Sequence, residues 1–152
     1  MSHWQKSKLN LKCSLDVLKK ALSNIMPQWA EHIQVDPSGN LTIHNSHTDK
    51  TMSGYAIKIP HSDEYRGIRG APGIRYADIG IKKNDDGTWG VEADVGYLKG
   101  IENLDGEIRM EVAMMKEKAK ARLKGLRIVN EDREGDVKSI TVDVPVGGYV
   151  GA

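Results

Sequence analysis

The chain is poor in cysteine, lacks phenylalanine and has almost no net charge. It has one cysteine, Cys13, and no phenylalanine among 152 residues, and its formal net charge is only +1. A single cysteine excludes an internal disulfide, which suits a reducing compartment. The two signs of charge alternate along the chain, which argues against a dedicated binder of nucleic acid or of a membrane surface.

Long apolar runs are also lacking. No stretch approaches the ~20 residues that cross a bilayer, and Met1 to Lys6 has no apolar signal-peptide core. We therefore expect a cytoplasmic protein. The length is typical of one domain without disulfides, so we expect a single α+β domain over residues 1–145 and a flexible glycine-rich tail over residues 146–152.

A strand and a helix are predicted near the start of the chain. Lys8 to Cys13 alternates between polar and apolar residues, which is typical of a strand with one buried face. Ser14 is a suitable N-cap, and Pro27 should end the helix that follows. Its apolar stripe has helical spacing and consists of Leu15, Leu18, Leu22 and Ile25.

The next segments predict a hairpin, a loop and a strand. Alternating residues from Ile33 to Val35 and from Leu41 to Ile43 flank a turn sequence, which predicts a hairpin. The polar residues 45–53 are expected to form a loop. A further strand should have one apolar face, made of Tyr55, Ile57 and Ile59.

Residues 77–144 give the clearest fold signal. Ala77–Lys82 and Thr88–Val95 alternate around an Asp-Gly turn, which predicts a half-buried hairpin. A helix is predicted from about Leu104 to Lys124, with Gly125 as its C-terminal stop. Its apolar stripe is Ile108, Val112, Met115, Ala119 and Leu123. A last hairpin should follow, and the whole predicts an antiparallel sheet with two helices on one face, an α+β fold.

These segments together resemble a known family, the hypothetical chloroplast open reading frame thirty-five proteins of plastids, cyanobacteria, bacteria and phages, whose domain is of unknown function. The matching residues are Met1-Ser2-His3-Trp4, Asp16, Leu18 to Leu22, Arg66-Gly67, Ala77-Asp78-Ile79-Gly80, Asn84 to Gly87, Trp89, Ala93-Asp94, Val112-Ala113 and Lys116. The chain departs from the family at Ile81, where an aromatic residue is usual, and at Val95-Gly96-Tyr97, where one or two tryptophans are usual.

The resemblance implies a small accessory protein, with an adaptor role suggested by relatives that occur with ATPases, and it supplies no established activity. It implies a protein partner, with an AAA-type ATPase as the candidate, and it leaves any cofactor unknown. It also widens the expected location to the plastid stroma or the cytoplasm of an infected host.

A long loop from His61 to Tyr76 contains the best candidate site. Arg66, Arg69 and Arg75 lie among glycines that include Gly67. Arginine side chains suit phosphate and carboxylate groups, and glycines let backbone amides approach an anion. The loop could bind a partner protein or act as an anion or nucleotide site. The alternative is a structural crossover whose arginines pair with nearby acids.

Two further sets of residues could have chemical roles. His44, His47 and His61, with Asp49, could supply zinc ligands for a metal-dependent enzyme, although they lack the helical register of metalloprotease motifs. Three carboxylates should share the outward face of the central hairpin: Asp78, Glu92 and Asp94. They could divide acid and base roles or bind a cation, but solvated acids are common on sheet faces. We favour a non-enzymatic binding domain that uses the arginine loop with Asp78 and Asp94.

Overall fold

The fold was taken from a computed structural model, which describes residues 4–9, 11–45, 50–61, 73–74, 77–94, 98–99, 104–134 and 137–143. The predicted tail lies outside these ranges. In chain order the elements are β1 (Trp4–Lys8), α1 (Leu15–Ile25), a 3₁₀ helix (Pro27–His32), β2 (Gln34–Val35), β3 (Leu41–Asn45), β4 (Lys50–Tyr55), β5 (Ile57–Ile59), β6 (Gly73–Ile74), β7 (Ile79–Lys83), β8 (Trp89–Asp94), β9 (Leu98–Lys99), α2 (Leu104–Leu123), β10 (Arg127–Glu134) and β11 (Val137–Asp143).

The main sheet has five strands in the order β1-β8-β7-β5-β2, and every neighbouring pair is antiparallel. The predicted central hairpin is confirmed as β7 and β8, with Ile81 opposite Val91. Its turn ends at Gly87, whose φ is +84°, and Asp86 accepts hydrogen bonds from the backbone and hydroxyl of Thr88. The α+β class predicted from the sequence is therefore confirmed.

Both helices pack on one face of this sheet, as the apolar stripes predicted. Ser14 caps α1 by accepting a hydrogen bond from the backbone N–H of Val17, 3.2 Å away, and the helix ends at Ile25, before Pro27. The core between helices and sheet consists of fully buried side chains, among them Leu18, Leu22, Ile57, Ile59, Ile79, Ile81, Ile108 and Val112. Trp29, from the 3₁₀ helix, is also fully buried in this core.

The opposite face of the sheet is covered by the hairpin of β3 and β4, which the sequence did not predict. The predicted pairing of residues 33–35 with residues 41–43 is wrong, because β2 pairs with β5 and β3 pairs with β4. Residues 50–53 are strand rather than loop. The chain bends at Ala56, so Tyr55 lies on the outer face while Ile57 belongs to the core.

Helix α2 has the predicted limits, but part of its predicted buried stripe is wrong. Gly125, with φ +73°, follows its end, and the N–H of Leu126 donates to the carbonyl of Ala121 at 2.9 Å. Leu123, in the last turn of α2, is 89% exposed. There α2 contacts the separate β10–β11 hairpin, and Lys118 forms an ion pair with Glu131.

Candidate functional site

Asp78 is a buried carboxylate on the outer face of the sheet, immediately before β7. Its residue is 2% exposed. Oδ2 accepts a hydrogen bond from the backbone N–H of His44 at 2.8 Å, and Oδ1 accepts one from the backbone N–H of His61 at 2.8 Å. The backbone N–H of Asp78 donates in return to the carbonyl of His44 at 3.0 Å. One side chain thus joins β3, the end of β5 and the start of β7.

Two side chains complete the surroundings of this carboxylate. Nδ1 of His61 lies 2.6 Å from Oδ1 of Asp78, and Nζ of Lys58 lies 3.6 Å from Oδ2. Burying a charge is costly unless it is paired and hydrogen-bonded, and here Asp78 is both. The side chains of His61 and Lys58 are 25% and 23% exposed, so they separate the carboxylate from solvent. We call Asp78, His44, Lys58 and His61 the Asp78 cluster.

The position of the Asp78 cluster matters because its residues flank the arginine loop. His61 is the first residue of that predicted loop, and Asp78 lies two residues after its last residue, Tyr76. Strand β6, which lies within the predicted loop, pairs with β9, with Gly73 opposite Lys99. The predicted His61–Tyr76 loop therefore contains a short strand, and its two ends meet at Asp78.

A second buried carboxylate, Glu92, lies on the same face of the sheet. It is 2% exposed, and its Oε2 accepts a hydrogen bond from the hydroxyl of Tyr55. Nζ of Lys82 is 2.8 Å from Oε1 of Glu92 and 5.8 Å from the centre of the Tyr55 ring, within cation–π range. Burial, together with the hydrogen bond and the charge of Glu92, raises the pKa of Tyr55 well above its ordinary value. Tyr55 is therefore a protonated donor at neutral pH.

The structure corrects the expectation that the acids of this face are solvated. Strand register places Glu92 opposite Gly80, so Asp78, Gly80 and Glu92 alternate onto one face as predicted. At Asp78 and Glu92 that face is closed to solvent, because the β3–β4 hairpin covers it there. Lys58 and Lys82, which pair with the acids, were missed. The available signal was that both lysines fall at the polar positions of strands β5 and β7.

The other predicted site residues are only partly described. Arg66, Gly67, Arg69 and Arg75, as well as His47, lie outside the described residues. Asp94 ends β8, with its backbone paired to that of Trp4. Their assignment to a binding site remains a prediction.

The structure describes two of the three histidines of the predicted metal site, His44 and His61. His44 lies in β3 and His61 follows β5, and their ring centres are 6.2 Å apart. Within the described ranges, no group of three or more His, Cys, Asp or Glu side chains is arranged to hold a metal ion. The carboxylate predicted beside these histidines was Asp49, which lies outside the described residues, whereas the structure places Asp78 against Nδ1 of His61.

Cys13 is not a reactive thiol in this structure. Burial raises the pKa of the Cys13 thiol, so this thiol is protonated at neutral pH and is a poor nucleophile. Its carbonyl accepts a hydrogen bond from Nε1 of Trp89 at 3.0 Å. No helix in the described part of the chain is both long and apolar enough to cross a membrane.

Comparison with known proteins gives no assignment. No family model, no curated protein and no solved structure matches the chain. The resemblance to the hypothetical chloroplast open reading frame thirty-five family therefore stays a prediction.

Proposed function

We propose that this chain is a non-enzymatic adaptor domain that binds another protein through residues 62–76, the arginine segment. The observation that supports this is the Asp78–His61 contact. Oδ1 of Asp78 accepts hydrogen bonds from the backbone of His61 and lies 2.6 Å from its ring. These two residues flank the arginine segment, so both of its ends adjoin a hydrogen-bonded anchor whose carboxylate is buried.

An anchored segment suits partner binding for an energetic reason. Ordering a segment on binding costs free energy, and fixing its ends in advance reduces that cost. Loops that emerge from a rigid scaffold are common binding elements. Within the segment, strand β6 pairs with β9.

The composition of the segment suggests the chemistry of the partner. It contains Arg66, Arg69 and Arg75 against Asp63 and Glu64. Guanidinium groups form paired, charge-assisted hydrogen bonds with carboxylates, so the partner surface should be acidic. The family resemblance suggests an AAA-type ATPase as the first partner to test.

Asp78 has a positioning role in this proposal and does not itself contact the partner. It is 2% exposed and already accepts several hydrogen bonds. The partner would contact residues that Asp78 anchors. Asp94 remains a candidate contact residue at the end of β8.

The test compares two double charge reversals. Arg66→Glu with Arg69→Glu changes the arginine segment, whereas Lys19→Glu with Lys20→Glu changes the same number of charges on the exposed surface of α1. Native mass spectrometry of protein purified from its own host would first identify a bound partner. Titration with that purified partner should then show at least tenfold weaker binding for the arginine variant and unchanged binding for the lysine variant.

Two controls make the result interpretable. The melting temperatures of both variants should equal that of the wild type, because the proposal assigns Arg66 and Arg69 to the partner and not to the packing of the fold. Partner affinity should also fall with increasing salt, as expected for exposed charge pairs. Equal binding by both variants would refute the proposal, and stabilisation of the isolated chain by a nucleotide would favour an anion-binding module instead.

A further inference from the structure

We propose that His44 and His61 form a site for a divalent transition metal such as Zn²⁺, with Asp78 as the carboxylate that orients His61. The site shares Asp78 and His61 with the anchor of the arginine segment, but no arginine of that segment is a ligand. The proposal rests on three features of the Asp78 cluster: the orientation of His61, the position of His44 and the surrounding charges.

The first feature is the orientation of the His61 ring. Nδ1 lies 2.6 Å from the Asp78 carboxylate, so the proton of the neutral ring lies on Nδ1 and the lone pair lies on Nε2. The side chain is 25% exposed, and no hydrogen bond to Nε2 occurs within the ranges that the structure describes. Histidines that bind metals usually donate their other ring N–H to a carboxylate in this way.

The second feature is the nearness of His44. Its backbone N–H donates to Oδ2 of Asp78 at 2.8 Å, while that of His61 donates to Oδ1. One carboxylate therefore fixes the backbone of both histidines. Their ring centres are 6.2 Å apart and the ring planes are inclined at 50°.

This separation is close to what one ion requires. With a Zn–N distance of about 2.0 Å, two imidazoles on one tetrahedral ion have ring centres about 5 Å apart. The rings need to approach by about 1 Å, which a small side-chain rotation provides.

The third feature is the charge and the donor type, which define the class of metal. Two imidazole nitrogens favour zinc, copper or nickel, whereas Mg²⁺ and Ca²⁺ prefer oxygen ligands. The negative Asp78 favours a cation nearby, and Lys58, whose Nζ is 3.6 Å from Oδ2, opposes it. With two protein ligands, water would occupy the remaining positions. We infer an exchangeable site that is weaker than a closed structural zinc site.

The test is a competition titration of untagged protein with Zn²⁺ against a chromophoric chelator. Three variants are compared: His61→Gln, His44→Gln and, as the matched control, His32→Gln in the exposed part of the 3₁₀ helix. We expect one Zn²⁺ per chain, at least tenfold weaker binding in the first two variants and unchanged binding in the third. Mg²⁺ should not compete.

A second measurement tests the role of Asp78 without any substitution. Nitrogen-15 spectra of the imidazoles should show His61 protonated at Nδ1 in metal-free protein, and addition of Zn²⁺ should shift its Nε2 signal. A merely structural histidine would not respond in this way. Absence of Zn²⁺ binding, binding that survives His61→Gln, or a proton on Nε2 in the neutral ring would each overturn the inference.

The titration also separates this inference from the proposed adaptor function. The Arg66→Glu and Arg69→Glu variant should bind Zn²⁺ as the wild type does, since neither residue is a ligand. If that variant lost its partner and kept Zn²⁺, both proposals would stand. If it also lost Zn²⁺, the two-histidine assignment would be wrong.

Discussion

The ring of Tyr55 lies directly against the backbone of Gly80. A Cβ atom at Gly80 would lie 2.5 Å from Cδ1 of the ring, closer than non-bonded carbon atoms approach. Because of this contact β4 packs on the outer face of β7, and the Tyr55 hydroxyl donates a hydrogen bond to Glu92. Glycine is required here for close approach and not for an unusual backbone angle.

Replacement of Gly80 by alanine should therefore destabilise the protein. Overpacking of a well-packed region costs about 1–3 kcal/mol, and the fully packed ring of Tyr55, which is 1% exposed, has little room to move. Urea denaturation would measure the loss. Gly90→Ala is the matched control, because its nearest atom is the side-chain Oδ1 of Asn84 at 3.2 Å, which can move. Equal losses for the two variants would contradict this explanation.

The hydroxyl of Tyr55 should make stability depend on alkaline pH. The pKa of Tyr55 is raised above its ordinary value of 10.0, first by burial and then by Glu92. Below the ordinary pKa of 10.0, Tyr55 holds its proton in both the folded and the unfolded states, so the stabilisation is fully present. Above it the unfolded state releases the proton first, and the stabilisation is lost by up to about 1.4 kcal/mol per pH unit.

Comparison of the wild type with Tyr55→Phe isolates this effect from other titrating groups. At neutral pH the variant should be less stable by about 1–3 kcal/mol, because a buried carboxylate oxygen loses its donor. The difference in free energy of unfolding should stay constant to about pH 9 and shrink above about pH 10. A difference that stays constant at higher pH would show that the Tyr55 pKa is not raised.

Local sequence features predicted some elements well. The β7–β8 hairpin follows from alternation and the turn at Gly87, and the limits of α2 follow from helical spacing and Gly125. Each of these signals lies within a few residues of the element that it defines. Local features did not predict which strands pair. Val35 pairs with Ile57 and not with the strand that follows it in the chain.

The candidate site was only partly predictable for the same reason. Alternation correctly placed Asp78 and Glu92 on one face, but their burial depends on a hairpin from elsewhere in the chain. That hairpin was missed because residues 50–53 are mostly polar, and most of β4 is exposed. The pairing of His61 with Asp78 likewise depends on the ends of β5 and β7 meeting, which no short pattern shows.

The two ends of α2 should differ sharply in their tolerance of substitution. Ile108 is fully buried in the core, whereas Leu123 is 89% exposed, although one apolar stripe contains both. Ile108→Ala should cost about 2–5 kcal/mol. Leu123→Gln should change stability by less than about 0.5 kcal/mol. Thermal unfolding of both variants would test this, and a large loss from Leu123→Gln would mean that the sequence-based stripe was right.

Replacement of Asp78 by asparagine tests the anchor on which both proposals depend. The amide keeps one oxygen acceptor but presents an NH₂ group where a carboxylate oxygen was, so at least one of the His44 and His61 N–H groups loses its acceptor. Lys58 also loses its counter-charge, an effect reduced by its 23% exposure. We expect a loss of about 2–4 kcal/mol, against less than about 0.5 kcal/mol for Asp132→Asn on the exposed surface of β10.

Hydrogen exchange would show whether this loss arises at the anchor. The backbone amides of His44 and His61 donate directly to Asp78, so they should exchange much faster in Asp78→Asn than the general loss of stability requires. The exchange rates of the backbone amides of Tyr55 and Glu92 should change only as much as the global loss of stability requires. If the two histidine amides behaved like the rest of the sheet, Asp78 would be an ordinary buried acid, and the rigid base assumed for the arginine segment would lose its support.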